Sequence, residues 1–255
     1  MPGRLNKKVA IVTGIASGIG RGVAALFARE GASVVGVDLN VEGARLAAEE
    51  ARQGGGSIDV QAPVDLLHEE TVEMLMADAA DRYGGIDILV NAAAVAEFAW
   101  IQEMTRAQWQ KTLSGELDIV FLCCRAIWPH LIKRGGGSII NFGSVAAYAS
   151  TRMLPSLAHS AGKGGVKAMT LQLAMEGASQ GIRANSISPG LIVSDATRAA
   201  FAANPGFKEE IERKVMLKRL GQPQDVAWAA VYLASEESSW VTGSDFVVDG
   251  GMRAW

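Results

Sequence analysis

Short runs of β-branched and aliphatic residues recur along the chain, each followed by a longer segment with apolar residues at helical spacing; this alternation constrains the fold more than any other feature. A strand that is apolar throughout must be covered on both faces, so the pattern predicts βαβ units built on a parallel sheet. The strand candidates are Val9 to Thr13, Ser33 to Asp38, Ser57 to Val64, Ile86 to Asn91, Ser138 to Phe142, Ile182 to Ser188 and Phe246 to Val248. Together they predict an α/β fold, a doubly wound seven-stranded parallel sheet with helices on both faces.

The helices carry their own boundaries. Gly20 to Glu30 closes on Gly31, and Val41 to Arg52 runs into Gly54-Gly55-Gly56, both normal helix stops. Nothing in the 255 residues reads as a linker, a charge block, a low-complexity tract or a repeat beyond the alternation itself, so one domain over 1–255 is expected. One segment departs from this regularity: between Leu191 and Met216 lies an Ala-rich stretch with Phe201 and Phe207, broken by Asn204-Pro205-Gly206. Ligands of doubly wound sheets bind beyond the carboxyl ends of the strands, so an excursion after the sixth strand is placed to cover a substrate; the other reading is an ordinary surface helical hairpin.

Composition narrows the function classes. A formal charge of -3 offers no basic footprint for a phosphate backbone, so nucleic acid is not an expected partner. Cys123 and Cys124 are adjacent inside an apolar helical stretch, a poor disulfide pair that reads as small core residues in a reducing compartment. The apolar run from Val9 to Val12 is too short for a signal-peptide core, and no run reaches membrane length, so a cytoplasmic location without membrane partners is expected.

The first strand runs directly into Thr13-Gly14-Ile15-Ala16-Ser17-Gly18-Ile19-Gly20, which opens a helix. Glycines belong here because the chain turns sharply, a phosphate must approach bare backbone, and helix and strand pack closely. The pyrophosphate then rests against free N–H groups at the helix N-terminus. Such a turn between strand and helix, with an acidic residue ending the next strand, is a specific dinucleotide signal. That residue is Asp38, in Val34-Val35-Gly36-Val37-Asp38. A carboxylate there accepts hydrogen bonds from both adenosine-ribose hydroxyls and repels a 2′-phosphate. With no Arg or Lys in Leu39-Asn40, the cofactor reading is NAD(H) rather than NADP(H).

The spacing of Gly14, Gly18 and Gly20 resembles the short-chain dehydrogenase/reductase family, whose sheet is the Rossmann fold, and further matches follow in order along the whole chain. Asp65 sits where the family contacts adenine, and Asn91-Ala92-Ala93-Ala94 stands for the usual Asn-Asn-Ala-Gly. Asn185 to Gly190 matches the segment that meets the nicotinamide, which assigns Pro189, Gly190 and Ile192 to the cofactor, with Ser194 at the carboxamide position. Ser17 and Ile19 of the glycine turn join the same set, and Arg219-Leu220-Gly221-Gln222-Pro223 and Asp249-Gly250-Gly251 complete the pattern. The resemblance implies hydride transfer between nicotinamide and a carbonyl or alcohol carbon, and a homotetramer assembled through the helices near Met104 to Arg134 and His159 to Gln180 and through the last strand.

It also implies a Tyr that gives or takes the proton, a Lys one helical turn later that also holds the ribose, a Ser that orients the substrate oxygen and an Asn that anchors a relay water. Here Ser144 and Lys163 stand at the Ser and Lys positions, His159 stands where the family has Tyr, and Glu116 stands at the Asn position. The catalytic set is therefore Glu116, Ser144, His159 and Lys163, with both departures in the proton relay. Three readings remain open. His159 is the proton donor, sharing a helix face with Lys163 and compensated by Glu116, which makes the departures one coupled substitution. Alternatively the acceptor is an imine or iminium that needs hydride but no strong acid, with Glu116 stabilising the cation. In the third reading hydride chemistry is lost, and the protein is a dinucleotide-binding pseudoenzyme or sensor.

Substrate-pocket candidates are Ala94 to Glu97, Trp100, Tyr148, Met153, Leu154 and the segment from Leu191 onward; their bulk and low charge point to a hydrophobic, cyclic or aromatic small molecule. His68 and His130 are isolated. With no His, Cys or carboxylate set at ligand spacing, no metal is expected.

Overall fold

The computed structural model describes residues 3–152 and 154–254. Strands β1 (Val9–Thr13), β2 (Ser33–Val37), β3 (Ile58–Gln61), β4 (Ile88–Asn91), β5 (Gly137–Phe142), β6 (Ile182–Pro189) and β7 (Asp245–Val248) form one sheet in the order β3-β2-β1-β4-β5-β6-β7. Every pairing is parallel. The strand order reverses between β1 and β4, so the loops that follow these neighbours leave in opposite directions and open a crevice at the carboxyl edge of the sheet.

Alternation along each strand sorts side chains to two faces. Ala10, Val12, Ile88, Val90 and Ile140 pack on one side with α1 (Gly18–Arg29), α2 (Val41–Gln53) and α9 (Pro223–Ala234). Ile11, Leu89, Ile139 and Ala184 face α3 (Glu69–Tyr83), α5 (Ile119–Arg134) and α6 (Leu157–Gly177). Buried Ile, Leu and Phe side chains in these layers each contribute roughly 1.5–3 kcal/mol of transfer free energy. The remaining helices are α4 (Arg106–Leu113), α7 (Asp195–Ala203) and α8 (Pro205–Lys214).

Several element boundaries differ from the sequence reading, each for a local reason. β3 ends at Gln61 rather than Val64 because it is an edge strand running into Pro63, which has no N–H to donate. β4 begins at Ile88 rather than Ile86; Asp87 there turns its carboxylate to the Val9 N–H at 2.8 Å and to Arg134 at 2.9 Å. α1 starts at Gly18 rather than Gly20, with Ser17 before it in extended conformation. The helix expected near Met104 to Arg134 is not uniform: between α4 and α5 lies a π-helical turn, Ser114–Asp118. That turn widens the helix by one residue per turn and re-aims what it carries, and it carries Glu116.

Candidate active site

A cleft of about 1360 Å³ lies along the carboxyl edge of the sheet, from the glycine turn after β1 to the helices α7 and α8. At its first end the turn is shaped by close approach. Gly14 and Gly18 have φ of +75° and +55°, and a Cβ on Gly14 would lie 2.7 Å from the Ala93 backbone. A Cβ on Gly20 would meet the Gly14 carbonyl oxygen at 2.1 Å. The turn is thus bare backbone by necessity, and it forms the cleft wall together with Ser17 and Ile19. Thr13 joins it to the loop after β4, its hydroxyl accepting from the Ala92 and Ala93 N–H groups at 3.1 Å each.

Asp38 stands beside the turn on the same wall, its carboxylate accepting from the Ala16 and Asn40 N–H groups at 2.8 Å each. Asp65 is also on the wall, one oxygen accepting from the Leu67 N–H at 3.0 Å. Pro189, Gly190, Ile192 and Ser194 line the middle of the cleft. This stretch is pinned from behind by Gly221: the Val193 N–H donates to the Gly221 carbonyl at 2.8 Å, and a Cβ on Gly221 would lie 2.4 Å from Ile192 Cδ1. Ser194 caps α7, accepting from the Thr197 N–H at 3.2 Å. A backbone cradle, a carboxylate beside it at the end of the next strand and a polar rim fit a dinucleotide in donor and acceptor chemistry.

Asn91, expected at the cofactor, has its side chain elsewhere. It is not on the cleft wall: its amide donates to Asn141 Oδ1 at 2.8 Å, and Asn141 passes the chain to Thr170 on α6 at 2.9 Å. Its amide begins a chain that ties β4, β5 and α6 together.

Glu116, Ser144, His159 and Lys163 converge. The Glu116 Oε1 lies 2.7 Å from His159 Nδ1, and His159 Nε2 lies 3.3 Å from Ser144 Oγ. Lys163, one turn further along α6, places Nζ 3.9 Å from the same Oε1. Glu116 is 1% exposed and its Oε2 has no hydrogen-bond partner. Two glycines make this approach possible. Gly162 leaves room for the carboxylate, since a Cβ there would lie 3.0 Å from Oε2. Gly115 lets the loop after β4 close onto the π turn, with Val95 N–H donating to its carbonyl at 3.0 Å and no space for a Cβ 2.6 Å from Val95 O.

The tautomer follows from these contacts. A carboxylate accepts only, so Nδ1 carries the hydrogen and Nε2 presents a lone pair toward Ser144. Ser144 Oγ itself accepts from the Ala146 N–H at 3.1 Å, which leaves its O–H free for that lone pair. Burial pushes the Lys163 ammonium below its ordinary range, opposed by the charge of Glu116. The Phe98 ring packs beside the imidazole with centroids 5.8 Å apart.

Leu154 is on the wall; Glu97, Trp100 and Tyr148 are not, and Met153 lies outside the described residues. Glu97 pairs with Lys111, and Trp100 sits in the turn before α4, accepting from the Glu103 and Met104 N–H groups at 2.8 Å. Tyr148 turns away from the cleft: its hydroxyl donates to Asp245, with Lys167 Nζ 3.0 Å from its ring centroid. Phe98 on the wall was not among the sequence candidates, while Phe207, Glu210, Ile211, Arg213 and Lys214 of α8 come from the segment after Leu191 that was expected there. The wall here is more charged than expected, because α8 is amphipathic and shows the cleft an edge between its buried Phe207 and Ile211 and its charged face. Glu210 ties the cover to the facing loop, accepting from Thr151 and Lys214 at 2.9 Å each. Among the described residues no His, Cys, Asp or Glu group could hold a metal, and no helix is long and apolar enough to cross a membrane.

A doubly wound sheet whose switch-point cleft is floored by a glycine cradle defines a dinucleotide-binding oxidoreductase architecture. Residues 14–253 match the family model described as enoyl-(acyl carrier protein) reductase. The chain is 36% identical over 248 residues to D-threitol dehydrogenase of Mycolicibacterium smegmatis, covering 97% of this chain and 94% of that protein. It is 37% identical to a 3-oxoacyl-[acyl-carrier-protein] reductase of Chlamydia pneumoniae, covering 97% of both. A solved 7α-hydroxysteroid dehydrogenase, complexed with NADH and 7-oxo glycochenodeoxycholic acid, superposes with a TM-score of 0.90 at 32% identity, over 97% of this chain and 95% of that one. The chain belongs to the short-chain dehydrogenase/reductase family.

Proposed function

We propose that this protein is an NAD(H)-dependent oxidoreductase acting on a carbonyl or alcohol carbon of a small organic substrate, with His159 as the group that moves the proton. The contact between Glu116 and His159, 2.7 Å at Nδ1, carries the reading. When bound, the nicotinamide supplies or accepts the hydride. Asp38, facing the cradle with both oxygens held by backbone N–H groups, favours ribose hydroxyls over a 2′-phosphate. Gly14, Ser17, Gly18, Ile19 and Gly20 hold the pyrophosphate, and Lys163 holds the nicotinamide ribose.

In the reducing direction, Ser144 donates a hydrogen bond to the substrate oxygen and His159 Nε2–H delivers the proton as negative charge develops there. In the oxidising direction the neutral imidazole takes the alcohol proton at Nε2. Glu116 is a positioning residue: it fixes the tautomer and supplies the counter-charge when the ring is protonated. Its Oε1 is engaged by His159 and faces Lys163, which favours carbonyl or alcohol chemistry over stabilisation of an iminium by a free carboxylate. Helices α7 and α8 cover the substrate.

The test is a panel of ketones, alcohols and cyclic imines assayed with NADH, NAD+ and their phosphorylated forms. Turnover of ketones with NADH, lost in His159→Ala, is expected. Tight NADH binding without turnover of any member would leave the sensor reading standing, and a preference for imines that survives His159→Ala would replace His159 as the acid.

A further inference from the structure

The row Glu116–His159–Ser144 is also the arrangement of a nucleophile, its base and the group that orients the base. We propose that Ser144 is an activated nucleophile and that the cleft carries a second, hydrolytic activity toward activated esters. The proposal goes beyond hydride transfer and does not depend on it, because no dinucleotide takes part.

Three observations on separate elements carry it. Glu116, buried in the π turn, holds His159 Nδ1 at 2.7 Å and so leaves Nε2 as the basic nitrogen. Ser144 Oγ lies 3.3 Å from that nitrogen, a separation ordinary for an unliganded nucleophile–base pair. The Ala146 N–H, donating to Oγ at 3.1 Å, occupies a lone pair and leaves the hydroxyl hydrogen for the base. Ser144 and His159 both line the cleft, so an ester can reach them.

The step balances without redox. Nε2 removes the Ser144 hydroxyl proton as Oγ bonds to the ester carbonyl carbon, and the alcohol oxygen leaves with that proton. Water then loses a proton to Nε2 and bonds to the same carbon; the Oγ–acyl bond breaks, and Oγ recovers the proton as the acid departs. The class is aryl and other activated esters, whose leaving groups depart readily, rather than amides.

The test uses the full chain with no added dinucleotide. A fluorophosphonate is expected to add to Ser144, located by peptide mass spectrometry, and p-nitrophenyl acetate to release p-nitrophenol with a burst. His159→Ala, with Ser144 intact, is expected to slow both by about 10²-fold or more, and Glu116→Gln to slow them because an amide facing Nδ1 permits the wrong tautomer. NADH binding by each variant, measured by calorimetry, checks that the cleft is folded. Absence of an adduct on wild-type protein that binds NADH overturns the proposal, as does an adduct on Lys163 alone or equal Ser144 labelling in wild type and His159→Ala. Failure of the oxidoreductase panel with intact Ser144 labelling would count only against hydride transfer.

Discussion

Helix α6 carries His159, Lys163 and Lys167 at successive four-residue steps, and the two ends of that stripe serve two clusters of similar chemistry. At one end a carboxylate, Glu116, meets His159 beside the Ser144 hydroxyl. At the other a carboxylate, Asp245, meets Lys167 at 3.9 Å and accepts from the hydroxyls of Ser186, Ser188 and Tyr148. The difference is saturation. Asp245 is surrounded by donors, and Tyr148 is further held between Lys167 and Arg253, the latter 3.9 Å from its ring centroid. Glu116 keeps one buried oxygen unpartnered, and its imidazole opens to the cleft. A polar cluster turned away from the cleft fixes structure; one that lines the cleft can act on what binds there.

The largest effect that could break this contrast is at His159. Replacing it with Ala is expected to lower kcat on the best ketone by about 10²–10⁴-fold while calorimetric NADH affinity changes little; retention of activity would make the two clusters equivalent. Next comes Gly162→Ala, whose Cβ would press on Glu116 Oε2 from 3.0 Å. Displacing the carboxylate is expected to cost roughly 10–100-fold in kcat, with a changed His159 tautomer ratio by ¹⁵N NMR that a purely structural loss would not produce.

Asp245→Asn should act on stability instead. Weakening a hydroxyl-saturated carboxylate is expected to cost about 1–3 kcal/mol in denaturant unfolding, with the pH profile of kcat unmoved. Lys163 sharpens the line between the clusters by its titration: burial holds its pKa below the ordinary 10.5. The ammonium is therefore lost as pH rises through that lowered value. NADH affinity is expected to weaken on the alkaline side before pH 10.5, a limb that Lys163→Met removes.

The smallest effect is Tyr148→Phe. Burial, then Asp245, pushes its phenol up to about 12, so it stays neutral throughout an ordinary assay. The pH–rate profile is expected to superpose on that of the parent, with a stability loss of about 1 kcal/mol for one hydrogen bond.

Most of the dinucleotide end was legible in the chain because its determinants are local. Gly14, Gly18, Gly20 and Asp38 act through backbone conformation and through the ends of adjacent strands, so their order in sequence is nearly their order in space. The substrate end was less legible. Trp100, Glu97 and Tyr148 are polar or aromatic and close in sequence to cleft residues, yet the turn before α4 and the saturation of Asp245 direct them elsewhere. Phe98 and the charged edge of α8 had no local signal, since a helix shows its cleft-facing side only when its partner is known.

The parallel α/β sheet and the glycine turn were thus written in the sequence, because hydrophobic period and turn chemistry are properties of neighbouring residues. Only the tertiary structure decided that Glu116 and His159 touch. That contact spans 43 residues and depends on a π turn, on the missing side chain of Gly162 and on the packing of α6 against it. Hydrogen bonding is decided at the last ångström, which periodicity does not encode.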